Sequence, residues 1–357
     1  MPASSSSGPM VPDFDVLVNG SPLAPDVLPY VVELTVDQSV DLPSMFTVVL
    51  SSSEVQQQEF QWIDSQNLFS VGNPVEIKMG YSGGLKTLVA GEITSLEAEF
   101  VFDQLPRLRV RGYDRRHRLQ RGRKTQSFLQ QKDSDIATQI GSSAGMSVQA
   151  TDSATTHDYV LQANKTDWEF LRERASRIRY EITVEDKTLY FQPVANDQSE
   201  VLTLDMDNDL LEFYPRLSSA GQATQVDVQS WSVKDKKKVL GSAKSGDEVS
   251  SMGGKSIGAA IAEKAFGTAV EVLSAFPVAA QAEADQMAKA RFNELVLEFI
   301  SGEGICRGRT DLKAGKVITI DGIGRRFGGQ YYVTNAVHRY SPGRGYRTEF
   351  AVRRNAS

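Results

Sequence analysis

The chain has 357 residues, of which 40% are hydrophobic and 24% charged, and its formal net charge is -6. That length supports about two domains, each with its own core. The composition excludes wholesale disorder and a membrane protein, and the mild acidity gives no overall pull toward nucleic acid.

Residues 1–12 are rich in Ser and Pro and read as a flexible tail. A first β-module is expected over 13–125. Its alternating runs are Phe14 to Val18, Tyr30 to Val36, Met45 to Leu50, Val75 to Met79, Leu88 to Phe100 and Leu105 to Arg111, punctuated by Pro, Gly, Asn and Asp. Regular punctuation of this kind describes an antiparallel barrel or sandwich.

Helical patterning then interrupts, and 126–198 reads as a small α/β insertion. Asp135 to Ile140 is a short helix ending near Gly141. Asp167 to Arg179 is a longer one with Trp168, Leu171, Ala175 and Ile178 on one stripe. Thr166 and Glu169 form a capping box at its start, each satisfying an orphan amide of the first turn. A hairpin follows, with Ile182 and Val184 on one arm, Leu189 and Phe191 on the other, and a tight turn at Asp186-Lys187.

A second β-module is expected over 199–357. It includes a strand near Gln225 to Val233, a mobile Lys/Ser/Gly-rich loop over 234–258 and an Ala-rich helix over 277–299. The closing strands echo the first module. Gly72, Val75, Ile77, Gly80, then Gly91, Ile93, Thr94, then Leu108, Val110 are matched by Gly315, Val317, Ile318, Ile320, Gly322, then Gly329, Val333, Thr334, then Phe350, Val352. A duplicated module and two ordinary hairpins would both give such spacing, since the two-residue difference is one strand period.

Exclusions narrow the chemistry. Cys306 is the only cysteine, so no intrachain disulfide forms and synthesis in a reducing cytoplasm is expected. Met1 to Asp15 lacks the basic-then-apolar order of a signal peptide. The most apolar stretch, Ala265 to Ala282, is interrupted by Glu271 and Pro277, and no membrane span is expected. Gly141-Ser142-Ser143-Ala144-Gly145 has the spacing of a hydrolase nucleophile motif. That chemistry needs a strand before the serine and a helix after it, whereas here the helical run comes first and the glycines suit helix caps. Asp205-Met206-Asp207-Asn208-Asp209 opens like a calcium loop but has Leu210 where glycine is required and Arg216 where glutamate is required. Gly254-Lys255-Ser256 lacks the rest of a phosphate loop. With three scattered histidines, no metal or other cofactor is expected.

The densest charge is basic: Arg107, Arg109, Arg111, Arg115, Arg116, Arg118, Arg121, Arg123 and Lys124. The first three alternate with Leu108 and Val110 and should line one strand face. That face would either bind phosphates or an acidic protein surface, or meet the chain's own carboxylates. It has no interleaved aromatics, which disfavours nucleic acid.

Three stretches resemble the phage late control protein D group, the baseplate hub proteins of contractile tails, to which the N-terminal half of type VI secretion spike proteins is also similar. The first is Val110-Arg111-Gly112-Tyr113-Asp114-Arg115-Arg116-His117-Arg118-Leu119. The second comprises Gln162, Asn164, Asp167-Trp168, Phe170-Leu171 and Ala175, then Leu189-Tyr190-Phe191. The third runs from Gly315-Lys316-Val317 through Gly329-Gln330-Tyr331-Tyr332-Val333 and His338 to Gly345-Tyr346-Arg347-Thr348. The resemblance covers nearly the whole chain from about Phe14.

It implies a mainly β fold with two similar antiparallel barrel modules plus the helix-hairpin insertion. It also implies a homotrimer acting as a non-enzymatic symmetry adaptor between a six-fold tail tube and a three-fold spike. The partners so implied are the chain itself, a separate spike protein, the tail-tube protein, other baseplate components and a cargo effector. The expected place is the baseplate of a phage tail or injection particle. Arg107, Arg109, Arg111, Arg115, Arg116 and Arg118 are candidate subunit or tube contacts, and Trp168, Leu171, Gly329 and Tyr331 candidate structural anchors. The alternative is a serine hydrolase using Ser143 on cell-envelope or ester substrates.

Overall fold

The computed structural model describes residues 11–51, 62–63, 68–232, 235–274, 278 and 280–357. The expected tail lies almost wholly outside them. The first module comprises β1 (Pro12–Val18), β2 (Ser21–Pro22), β3 (Val31–Ser39), β4 (Met45–Ser51), β5 (Pro74–Tyr81), β6 (Lys86–Glu99) and β7 (Arg107–Asp114). In these strands apolar residues alternate with polar ones, and Leu34, Val36, Phe46, Val48, Leu108 and Val110 turn one face into a dry core.

The insertion comprises β8 (Lys124–Lys132), α1 (Asp133–Ser143), β9 (Ser147–Ala150), β10 (Thr156–Lys165), α2 (Asp167–Arg177), β11 (Tyr180–Glu185) and β12 (Thr188–Pro193). The capping box forms as read: Glu169 N–H donates to Thr166 Oγ1 at 3.1 Å, and Thr166 N–H donates to Glu169 Oε2 at 3.0 Å. Trp168 and Leu171 are buried with Phe128, Ile136, Leu189 and Phe191 in a core of their own.

The remainder comprises β13 (Thr203–Asp205), β14 (Leu210–Leu217), β15 (Gln225–Ser232), β16 (Lys237–Lys244), α3 (Gly258–Phe266), β17 (Val270–Leu273), α4 (Gln281–Leu297), β18 (Ile300–Arg307), β19 (Val317–Asp321), β20 (Gly329–Ser341) and β21 (Gly345–Arg354). The expected loop over 234–258 is therefore corrected, because 237–244 is a paired strand. Its inward residues are Val239, Gly241 and Ala243, small enough for α4 to lie almost on the backbone. A Cβ at Gly241 would sit 2.2 Å from the Ala284 carbonyl. Small residues facing a helix and lysines facing out gave a loop-like composition to a strand.

The principal sheet has 13 strands in the order β14-β18-β21-β20-β3-β4-β7-β6-β5-β1-β2, with β19 beside β20 and β13 beside β19. Within it the order β3-β4-β7-β6-β5-β1 is repeated as β14-β18-β21-β20-β19-β13. Both copies bulge at the same threonine: the ladder slips between Ile93 and Ser95 around Thr94, and between Val333 and Asn335 around Thr334. A shared order and a shared bulge are what duplication leaves behind. The register aligns Gly112 with Val352 and Val110 with Phe350, one strand period from the alignment read in the sequence. The copies also differ, since β1 joins antiparallel and β13 parallel. They fuse where β20 pairs with β3, so that two cores lie under one continuous sheet.

Candidate functional site

The sheet's second face, opposite the cores, is charged. Register carries it without a break from β14 to β6: Arg216 lies beside Ser301, Arg347 beside both Arg307 and Arg339, Arg339 beside Thr35, Thr47 beside Arg111 and Arg109 beside Glu97. Neighbouring strands pin the long side chains to one another. Arg111 and Arg109 reach Glu97 at 2.8 and 3.4 Å, and Arg339 reaches Glu349 at 2.9 Å. Arg107, Arg109 and Arg111 therefore share one face, as alternation requires, and two of them meet the chain's own carboxylate. Exposed pairs of this kind contribute about 0–1 kcal/mol each.

Arg115, Arg116 and Arg118 behave differently because Asp114 ends β7 and caps a 3-10 turn over Arg115–Gln120. Arg116 is 2% exposed: its Nε donates to Asp114 Oδ2 at 2.9 Å, and its Nη1 donates to the Ile182 carbonyl at 3.1 Å. It also lies 5.9 Å from the Trp168 ring, close enough for a cation–π contact. Arg115 turns to Glu92 and to Asp186, and Arg118 and His117 also bond Glu92. Burial pushes the Glu92 carboxyl up, but bonds from Arg118 and His117 outweigh it and hold the group below the usual range. This cluster fastens the insertion to the first module. Buried inside the chain, Arg115 and Arg116 do not offer their guanidiniums to a partner surface.

The hydrolase motif lies in the order opposite to a nucleophile elbow. Ser143 is the last residue of α1, its hydroxyl donates to the Gln139 carbonyl at 2.8 Å, and Gly145 caps the end at φ +77. His157 belongs to a separate buried cluster with Asp133, Arg174 and Glu283, where Arg174 Nη2 lies 2.8 Å from His157 Nε2. His338 on β20 is fully buried, with its Nδ1 2.8 Å from the hydroxyl of Tyr346, which packs in the first module's core. Desolvation, with Lys313 assisting, lowers it to about 3. Cys306 is equally buried, and burial raises its thiol to about 12. Among the described residues no group of three or more His, Cys, Asp or Glu is placed to hold a metal ion, and no helix is long and apolar enough to cross a membrane.

Gly329 and Tyr331 sit under the second module. Gly329 adopts φ +129, and a Cβ there would meet the Arg354 guanidinium at 2.7 Å. Tyr331 is fully buried, and its hydroxyl donates to the Phe327 carbonyl at 2.6 Å.

Residues 9–341 match the family model described as the Alg8 N-terminal domain. The chain belongs to that family. No curated protein matches it. Among solved structures, this Alg8 N-terminal domain member is similar to the prophage MuSo2 43 kDa tail protein from Shewanella oneidensis, at 11% identity and a TM-score of 0.71, covering 96% of this chain and 98% of that one. It is also similar to the tail protein from Neisseria meningitidis MC58, at 13% identity and a TM-score of 0.68, covering 96% of each chain. A third is an E. coli component of the type VI secretion system, itself described as similar to T4 bacteriophage tail proteins. There the identity is 13% and the TM-score 0.63, over 96% of this chain and 77% of that one. The fold is thus that of these tail and secretion-system proteins, in line with the resemblance of the three stretches of sequence.

Proposed function

We propose that the protein is a structural, non-enzymatic baseplate hub in which three copies close into a ring of six similar modules, joining a six-fold tail tube to a three-fold spike. The observation that carries this reading is the β20–β3 junction. It supports a joint in which one module receives another, and among the described residues β14 and the outer half of β6 have backbone groups available to repeat that joint between copies. On the described residues β14 pairs only with β18, and Ser95 to Glu99 of β6 pair only with β7.

Equivalent positions give the register of the intermolecular joint. Asn335, Val337 and Arg339 of β20 oppose Ser39, Asp37 and Thr35. The shared bulge makes Ser95, Glu97 and Glu99 their counterparts in β6, and the strand-by-strand register makes Ser218, Arg216 and Tyr214 the counterparts in β14. Glu97 of one copy would thus face Arg216 of the next, and Arg216 is exposed and has no ion pair among the described residues. Apolar side chains stand ready beside both edges: Phe102 is 98% exposed beyond β6, and Tyr214 is 67% exposed on β14. A head-to-tail contact of this kind closes into a ring when its rotation permits.

The division into modules at 13–125, 126–198 and 199–357 belongs to this reading. So do the spike, tube, baseplate and cargo partners and the assembly of a cytoplasmically made chain into a tail or particle. The surface contacts fall to Arg107, Arg109 and Arg111, with Arg118 partly exposed at the module joint. A charge swap tests the joint: Glu97→Arg or Arg216→Glu alone should reduce the assembled fraction in analytical ultracentrifugation, and the two together should restore it. Singles that assemble like the parent, or a double that stays dispersed, would refute this register.

A further inference from the structure

The insertion meets the second module along α4, and much of that boundary is unfilled. One cleft of about 610 Å3 lies between α4 and the residues that follow α2, and another of about 660 Å3 lies between α4 and α2 itself. The polar ties across the boundary therefore carry weight, and one of them contains a titratable group that the hub reading does not use. His157 on β10 is nine-tenths buried, and three charged groups face it from three elements: Asp133 from α1, Arg174 from α2 and Glu283 from the first turn of α4. Its cross-strand neighbour on β8, Gln131, is uncharged. Close by, the Thr155 hydroxyl adds a long bond to Gln286 Oε1 at 3.5 Å.

Geometry fixes which imidazole nitrogen carries the proton. Arg174 Nη2 lies 2.8 Å from His157 Nε2, and a guanidinium has only donors, so Nε2 accepts and holds no hydrogen. The proton of the neutral imidazole is then on Nδ1, which lies 3.5 Å from Glu283 Oε1. Arg174 is also committed to Asp133, its Nε donating to Oδ1 at 2.6 Å and its Nη2 to Oδ2 at 3.1 Å. In this state two carboxylates share one guanidinium, and Glu283 has no ion pair with Arg or Lys among the described residues. Burial pushes the Asp133 carboxyl up, but bonds from His157 and Arg174 outweigh it and hold the group below the usual range, so it stays ionised while a histidine titrates. A further proton from solvent enters at Nε2, which turns from acceptor to donor. It then loses its bond from Arg174, and Asp133 Oδ2, 3.3 Å away, becomes its acceptor. The imidazolium meets a carboxylate on each side, one of them on α4, against a single guanidinium. We infer that His157 is a proton-driven latch between the insertion and the second module: acidification strengthens its tie to Glu283 and holds the first turn of α4 against the insertion.

The test uses the full chain with isotopically labelled histidines; the chain has three, so the NMR signal lost in His157→Gln identifies the imidazole. At about pH 8 the expected signature is a neutral imidazole protonated on Nδ1. Hydrogen exchange at residues 284–288, corrected for the intrinsic rate, should slow roughly fivefold between about pH 8 and about pH 6. That gain should vanish in His157→Gln and in Glu283→Gln. Glu283 lies at the rim of the cluster, so Glu283→Gln leaves the Asp133–Arg174 pair in place and decides the matter even where His157→Gln fails to fold. Three outcomes would each overturn the proposal: an imidazole protonated on Nε2 at the upper pH, protection that stays level or falls on acidification of the parent chain, or a gain of the same size in Glu283→Gln. None of these bears on hub assembly, which is read separately by sedimentation.

Discussion

The two modules follow one strand order but leave their corresponding edges in opposite states. In the second, the outer half of β20 is occupied by β3; in the first, the equivalent half of β6 meets only β7 among the described residues. The second also carries β15 to β17 and α4 between β14 and β18, where the first has the short β3–β4 connection. A duplicated fold therefore needs only one internal joint to define a repeating one. The copies differ in the partner each edge meets, in the direction of β1 and β13, and in this inserted segment.

The largest expected effect is loss of the strut beneath the first module. Arg116→Ala leaves Asp114 buried and uncompensated and should cost about 3–5 kcal/mol, read by chemical denaturation. A cost below 1 kcal/mol would mean that Asp114 and Arg116 do not hold the insertion against the first module. Trp168→Ala, in the insertion core, should also cost about 3–5 kcal/mol, and an unchanged melting curve would contradict its anchoring role.

The buried His338 on β20 should add a pH signature that begins at higher pH than that of Glu92 in the first module. His338 is held neutral with a depressed value, so the unfolded chain binds the extra proton first. Stability is complete above about pH 6.5 and is lost as pH falls toward about 3. Replacing His338 with Gln should flatten that part of the stability profile. A profile equally steep with and without the histidine would contradict the assignment. The smallest effect on the folded monomer belongs to the segment beyond β6: Phe102→Asp should leave monomer stability within about 0.5 kcal/mol while reducing assembly.

Much of the fold was legible because its signals are local. Alternation marked the strands of the first module, the Thr166–Glu169 box marked α2, and Asp186-Lys187 marked the hairpin turn. Paired glycines and the Thr94/Thr334 positions pointed to a duplication but fitted two ordinary hairpins equally, and the shared strand order and bulge decide between them. The β16 strand escaped because its inward Gly241 and Ala243 are small and Lys237, Lys238 and Lys244 are exposed. The inward turn of Arg115 and Arg116 was also hidden, since arginine belongs outside by default and its partners Glu92, Asp186 and Ile182 come from elsewhere in the chain. The β20–β3 joint spans nearly the whole chain, and no local pattern announces it.

The most direct test of the central claim is end-on electron-microscope class averages of the purified protein. The account predicts closed rings with three-fold symmetry and six lobes, whereas rings of any other order would contradict it.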